Sequence, residues 1–512
     1  MYDVSIMLSK VYSATTFGLD GVLITVEVDV ASRGFPSFRI VGLPNKSVEE
    51  SKERVRTAIV NTSFEMPQTK TVINLAPADI PKEGSLFDLP IAVGLLTAQG
   101  FLRTTFLATS LCVGELSLDG RVSPVPGILP IAVLAKRIGI KDLYVPKENA
   151  REAALIEGIN VFGLETLSEL ILNVNNGAAL KVTPHISWET LRTEQSYESD
   201  FKDVRGQQQA KRALEIAAAG GHNVLLNGPP GAGKTMLARS FPSIMPPMDE
   251  EEIIEVSKIY SVTAAFKENG FVVMRPFRSP HHTISRVGLI GGSNKLSPGE
   301  ISLAHRGVLF LDEFPEYPRS VIESLRQPLE DGVVTITRAA GTVTYPARFI
   351  LVAAANPCPC GYLGHPTRQC KCGLMLIYKY KKRISGPILD RIDIHIDVPP
   401  VRREALSSGV DAEESATIRQ RTSQARMIQQ KRFQGTHIKT NAEMMTPYIK
   451  KHCQINPDAE LLLRQAFSKL SLSARSYFKI IKIAQTIADL EAAETISSIH
   501  ISEAIQYRVK DE

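Results

Sequence analysis

One stretch narrows the choice of fold more than any other: "NVLLNGPPGAGKTMLARSF", where a short apolar run enters a glycine-rich turn and a helix-compatible segment leaves it. Residues 228–235 fit the phosphate-loop pattern of glycine, four residues, glycine, lysine, then serine or threonine. In such a loop the glycines let backbone N–H groups curl around phosphate oxygens, at the N-terminus of the helix that follows. Gly228, Pro229, Pro230, Gly231, Ala232, Gly233, Lys234 and Thr235 are therefore the candidate nucleotide-binding residues. Lys234 would neutralise β/γ charge and Thr235 would hold Mg2+. The order of helix, glycine stop, strand, loop and helix is that of a nucleotide-binding βα unit.

Two further runs, "RGVLFLDE" and "ARFILVAAAN", are short and almost wholly apolar, as central parallel strands are. The first carries Asp312 to a strand end, where it can bind the magnesium shell, with Glu313 next in line to polarise water. An apolar run ending in acids is also common at ordinary strand ends, so the pair takes its meaning from the phosphate loop upstream. The second ends at Asn356, whose amide can reach a γ-phosphate and an attacking water, or can simply make a turn before Pro357. In "ISGPILDRIDIHIDVPP", Arg391 stands between two aspartates, as a surface ion pair or as an arginine finger. Arg475 opens an amphipathic segment, "ARSYFKIIKIAQTIADL".

The 512-residue chain is too long for one core and divides by pattern. Hydrophobic content of 44% and charged content of 22% argue against disorder and coiled coil. Residues 1–175 read as an α/β domain. Period-two alternation in 22–30 puts Val22, Ile24, Val26, Val28 and Val30 on one strand face. Ser47 and Glu50 suggest a capping box, and Asp119-Gly120 a hairpin turn. Residues 176–199, with the single tryptophan Trp188, read as a linker. Residues 200–400 hold the nucleotide-binding core, and 401–512 read as a helical lid. The start of the chain shows no basic segment followed by an apolar core, and no apolar run reaches membrane-spanning length, so the expectation is a cytoplasmic protein. A net charge of +5 is compatible with nucleic acid and too weak to argue for it.

Four of six cysteines crowd into "ANPCPCGYLGHPTRQCKC". In a reducing compartment such clusters are metal ligands or redox groups more often than disulfides. Cys358, Cys360, Cys370 and Cys372 form two cysteine-x-cysteine pairs across loop 358–372, enough chain to present four thiolates to Zn2+, with His365 as a substitute ligand. Reduced or redox-active thiols are the alternative. Cys112 and Cys453 read as packing residues.

The order of phosphate loop, "FLDE", strand-ending asparagine, "GPILDRID" and lid arginine resembles the AAA+ ATPases, and within them the Mg-chelatase branch. "VGLPNKSVEESKERVRTAI", "NLAPADIPKEGSLFDLPIA", "FRSPHHTISRVGLIGG" and "ANPCPCGYLGHP" look like the Mg-chelatase-like YifB/ComM family along the whole chain. The resemblance implies an α/β multidomain chain: a Lon-protease-like α/β N-terminal domain, an AAA+ P-loop core with a parallel sheet, and a C-terminal helical lid. It also implies a homo-hexamer with ATP between subunits, acting as a helicase that promotes branch migration of single-stranded or branched DNA during recombination and natural transformation. Asn356 would be the first sensor, Arg391 the finger entering a neighbour's site, and Arg475 the second sensor. A motor that remodels a protein partner, as in Mg-chelatases, is the alternative.

The first domain departs from the Lon pattern. Lon proteases use a serine-lysine pair, and Leu86 and Leu129 stand where those two residues would align. Ser85 is one position off and lacks a lysine, so its hydroxyl would stay a weak nucleophile. The expectation is a non-proteolytic relative. Two loops, "RSPHHTISRVGLIGGSNKLSPGE" and "DGVVTITRAAGTVTYPAR", sit where this branch inserts pore-facing segments. Arg286, Lys295 and Arg338 there suit a phosphate backbone, or are ordinary solvated cations. Adjacent His281 and His282 on an extended chain would point to opposite faces, so no metal is assigned to them.

Overall fold

The computed structural model describes residues 8–82, 84–176, 180–187, 197–263, 271–292, 296–338, 341–400, 413–470 and 473–508. Trp188, half of the expected linker and Lys295 lie outside the described residues. The chain forms two compact units, residues 1–194 with 253–273, and residues 195–252 with 274–512.

The first unit is built on a seven-stranded mixed sheet. Its strands are β1 (Leu8–Phe17), β2 (Asp20–Val30), β3 (Ser37–Val41), β4 (Lys70–Ala76), β5 (Ser110–Cys112), β8 (Asp142–Pro146) and β9 (Asn160–Leu164), with β6 (Glu115–Leu116) and β7 (Val122–Ser123) forming a separate hairpin. The order across the sheet is β3-β4-β2-β1-β5-β8-β9. The alternation in β2 buries Ile24, Val26 and Val28 completely, while Val22 and Val30 at its ends are half-covered. Against this face lies helix Asp88–Ala98, buried along its whole length. Gly94 permits the close approach, since a Cβ there would meet Val28 Cγ2 at 2.6 Å. Helix Lys46–Asn61 departs from the expected capping box: Asn45 is the N-cap, its side chain accepting from Val48 N, so the helix starts before Ser47.

Residues 253–273 cluster by contact with the first unit. Ser261 donates from its hydroxyl to Glu152, its carbonyl accepts from Gly127 N at 2.8 Å, and Arg151 lies over the Phe271 ring. The sequence pattern of this segment carries helical period only, which says nothing about the surface it joins.

The second unit holds a five-stranded, all-parallel sheet of β10 (Val224–Asn227), β11 (Phe277–Arg278), β12 (Val308–Leu311), β15 (Ile350–Ala355) and β16 (Ile394–Asp397). Its order is β11-β12-β15-β10-β16. Between β12 and β15 the chain inserts an antiparallel hairpin, β13 (Val333–Arg338) with β14 (Gly341–Pro346). Helices Ser415–Arg432, Thr446–His452, Pro457–Lys469, Ala474–Leu490 and Ser498–Gln506 follow. They share one hydrophobic core with the sheet: Ile418, Ile480, Ile487 and Ile501 pack in the same cluster as Val224, Phe310 and Val352. No helix among the described residues is long and apolar enough to cross a membrane.

Candidate functional site

Three neighbouring strands end side by side. Leu311 pairs with Ala353 and Asn227 with Ala355, so Asp312, Asn356 and Gly228 leave the carboxyl edge of β12, β15 and β10 together. That edge is where ligands bind in open parallel sheets. Gly228 allows its backbone to lie on β16, since a Cβ would fall 2.2 Å from Val398 O. Gly231 and Gly233 adopt φ of +79° and +91°, conformations open to glycine at little cost, and the loop then enters helix Lys234–Ile244.

The side chains converge on a cleft of about 370 Å³ lined by Gly231, Lys234, Thr235, Asp312, Glu313 and Asn356 among others. Lys234 Nζ donates to Gly228 O at 2.6 Å, Pro229 O at 3.0 Å and Asn356 Oδ1 at 3.1 Å. Burial lowers its pKa, against the pull of Asp312 and Glu313. Thr235 Oγ1 donates to Asp312 Oδ2 at 2.8 Å, and Asp312 Oδ1 accepts from Glu313 N at 2.9 Å. Glu313 takes a left-handed backbone, φ 51° and ψ 43°, which turns its side chain out of the strand direction.

Arg391 and Arg475 do not join this cluster of contacts. Arg391 pairs with Glu330 rather than with its flanking aspartates, and also donates to Pro387 O at 2.7 Å. Arg475 donates to the other oxygen of Glu330 at 3.0 Å. The two arginines thus form one cationic pair, and Arg391 first, then Arg475, holds the Glu330 carboxyl below its ordinary pKa. The neighbouring Asp393 is occupied elsewhere, beside His222 and Lys479.

Two residues escaped the sequence reading. Glu330 carries no motif. His282 was set aside on the expectation of an extended chain, yet residues 282–283 form a turn in which the two histidine rings lie 4.1 Å apart. His282 Nδ1 stands 3.5 Å from Glu313 Oε2. The signal for it is spatial, since nothing in "SPHHT" points to the end of β12. The two inserted loops pack on each other: Arg338 Nε donates to Gly292 O at 3.0 Å, Tyr345 OH to Leu296 O at 2.6 Å, and Arg286 is exposed at the start of helix Arg286–Ile290.

The four loop cysteines come together, with all sulfurs within 4.8 Å of one another. Cys358 lies 3.4 Å from Cys360 and 3.6 Å from Cys370, and Cys360 lies 3.6 Å from Cys370. These separations are far too long for disulfides and near the edge of about 3.8 Å that a tetrahedral zinc-thiolate site has. Backbone N–H groups of Tyr362 and Lys371 pull the Cys360 thiol down to about 6, the kind of support metal-bound sulfurs receive. His365 is not in the group: its Nδ1 accepts from Thr367 N and Arg368 N within its own turn. The donor set fits a soft divalent ion.

In the first unit the Lon-aligned positions are apolar: Leu129 is fully buried and Leu86 packs against the core. Ser85 Oγ donates to Glu115. Lys82, fully buried, donates to Pro77 O.

Comparison with known proteins agrees with this architecture. Residues 200–406 match the family described as magnesium chelatase, subunit ChlI; residues 26–149 match subunit ChlI of Mg-chelatase; and residues 412–508 match the ChlI C-terminal family. The chain is 42% identical over 504 residues to the competence protein ComM of Haemophilus influenzae, covering 98% of this chain and 97% of that one. It is 42% identical over 509 residues to the protein YifB of Escherichia coli, with the same coverage. Lon protease 2 of Bacillus subtilis is 31% identical over 168 residues, 30% of each chain.

Proposed function

Because the chain belongs to the YifB/ComM family of Mg-chelatase-like AAA+ proteins, with a Lon-like N-terminal fold, we propose that it hydrolyses ATP to drive movement on DNA. The observation that carries the reading is the convergence of Lys234, Thr235, Asp312, Glu313 and Asn356 on one cleft at the sheet's carboxyl edge. In the free protein Lys234 is bonded to three oxygens of its own chain, and it exchanges these for the phosphates of ATP. Thr235 and Asp312 are the residues that would hold Mg2+, whose charge, when bound, offsets that of the phosphates. Glu313, lining the cleft beside His282, orients and deprotonates the attacking water. Asn356, released from Lys234 by that exchange, is placed at the strand end to reach the γ-phosphate with its amide.

Arg391 and Arg475, paired on Glu330, supply positive charge to the ATP of a neighbouring subunit, so turnover requires assembly into a ring, a hexamer by family likeness. The mutually packed inserted loops, with Arg286 and Arg338, follow a DNA backbone without reading bases. The DNA assignment draws on the relative named for competence, and branch migration of recombining strands is the task proposed. The Lon-like unit, with apolar side chains at the serine and lysine positions, performs no peptide hydrolysis. Zn2+ is the ion proposed for the four cysteines.

A labelled four-way DNA junction incubated with the protein and ATP tests this. Conversion to duplex arms by wild type, and none by Lys234→Ala or with a non-hydrolysable analogue, is the expected result. A junction left intact while ATP is consumed would sink the branch-migration assignment.

A further inference from the structure

The segment 356–361 touches the phosphate loop at both of its ends. At one end Asn356 Oδ1 accepts from Lys234 Nζ at 3.1 Å. At the other, Gly361 lies directly against the ring of Pro230, so that a Cβ added there would come 2.5 Å from Pro230 Cδ and 3.2 Å from Cγ. Cys358 and Cys360 stand between these contacts, and the turn joining them closes with Gly361 N donating to Cys358 O at 2.9 Å. The remaining two sulfurs arrive from the far end of the loop, and residues 356–373 contain neither helix nor strand. A segment of this kind has no extended ladder to hold it, and the four-sulfur cluster draws its two ends together.

We propose that the four cysteines form a zinc-class metal site that shapes the phosphate loop, so that metal occupancy governs nucleotide affinity. The inference rests on the reading of the cleft as an ATP site. Four-thiolate metal binding fixes Cys358 and Cys360, and through Asn356 and Gly361 it fixes the outer wall of Lys234 and Pro230. Without the metal the turn samples more conformations, and the cost of ordering it falls on nucleotide binding. Linkage makes the effect reciprocal: nucleotide must tighten metal binding by the factor by which metal tightens nucleotide.

The test uses the full chain and two readouts, metal content by elemental analysis and affinity for a fluorescent ADP analogue by anisotropy. Protein is compared as purified, after zinc extraction by a chelator that spares Mg2+, and after addition of zinc alone. The expected results are one zinc per chain, affinity weakened about tenfold on extraction and restored by zinc, and zinc affinity raised by the same factor with saturating ADP. Cys372→Ser should behave as the extracted protein. Should that variant fail to fold, Gly361→Ala is the second variant: it removes no sulfur, and its methyl group, at φ +80° and 2.5 Å from Pro230 Cδ, displaces the turn against the phosphate loop. It should keep its zinc and still lose nucleotide affinity. Extracted protein that binds ADP as tightly as loaded protein, or a chain that never holds metal, would overturn the inference. Zinc-loaded wild type that binds no nucleotide would instead overturn the ATP reading on which it rests.

Discussion

Two of the buried lysines, one from each unit, differ in what surrounds them. Lys82 in the first unit is wholly covered and donates to Pro77 O; Lys234 in the second donates to three oxygens and lines a cleft of about 370 Å³. Burial lowers the pKa of both. A depressed lysine is therefore no mark of a site by itself. What separates the two is convergence: around Lys234 stand a hydroxyl, two carboxylates and an amide from three strand ends, whereas the hydroxyl nearest the Lon serine position, Ser85, is bonded to Glu115. The glutamates repeat the contrast. Glu152 is buried and accepts from Leu129 N, Asn149 and Ser261, while Glu313 is exposed at the edge of the cleft.

The largest expected effect would break the comparison if it failed. Lys234→Ala should lower ATP turnover by more than about ten-thousandfold, while Lys82→Met leaves it within roughly twofold and only loosens the first unit. Comparable losses in both would show that the two lysines are not distinguished by their surroundings. Next, Arg391→Ala should slow hydrolysis about a thousandfold with nucleotide affinity retained. Mixing it with Lys234→Ala chains, which keep their arginines, should restore turnover, as a site completed by a neighbour requires. No rescue on mixing would place the arginine's action within its own chain.

The third effect concerns pH. Burial pushes the Glu152 carboxyl up from 4.5 to about 7, so the folded first unit binds a proton that the unfolded chain has released. Stability then falls as pH rises from 4.5 towards 7, by about 3 kcal/mol in all, and stays low above that. Glu152→Gln should be the more stable form at pH 8 and match wild type near pH 4.5, read by hydrogen exchange in helix Lys147–Ala153. Identical pH profiles would mean that the carboxylate is not held neutral. The smallest effect is at His282. Its contact with Glu313 is partly exposed and worth at most about 1 kcal/mol, so His282→Ala should change kcat by no more than roughly fivefold in steady-state hydrolysis; a larger loss would make the contact part of the site.

How far the sequence can be read follows from where the chemistry lies along it. The phosphate loop and the "FLDE" strand end are contiguous, and each carries its own geometry: glycines at positive φ, an apolar run, then the acids. The parallel sheet could be read for the same reason. By contrast, Glu330 is 61 residues from Arg391 and 145 from Arg475, and no local pattern marks a carboxylate that two distant arginines share. The expectation that His281 and His282 point to opposite faces fails because adjacent side chains diverge on a strand but not on a turn. The N-cap of helix Lys46–Asn61 went to Asn45 because both Asn45 and Ser47 offer capping oxygens, and only the backbone chooses between them. That residues 253–273 cluster by contact with the first unit has no local signature, because helical periodicity reveals that a face is apolar, not what it packs against.

On this reading the cleft around Lys234 turns over ATP in response to DNA. ATP hydrolysis by wild type and Lys234→Ala, each alone, with single-stranded DNA and with a four-way junction, tests it most directly. The account predicts that DNA accelerates wild-type hydrolysis severalfold and that Lys234→Ala stays at background under every condition. Hydrolysis that persists in Lys234→Ala, or that no DNA alters in the wild type, would contradict it.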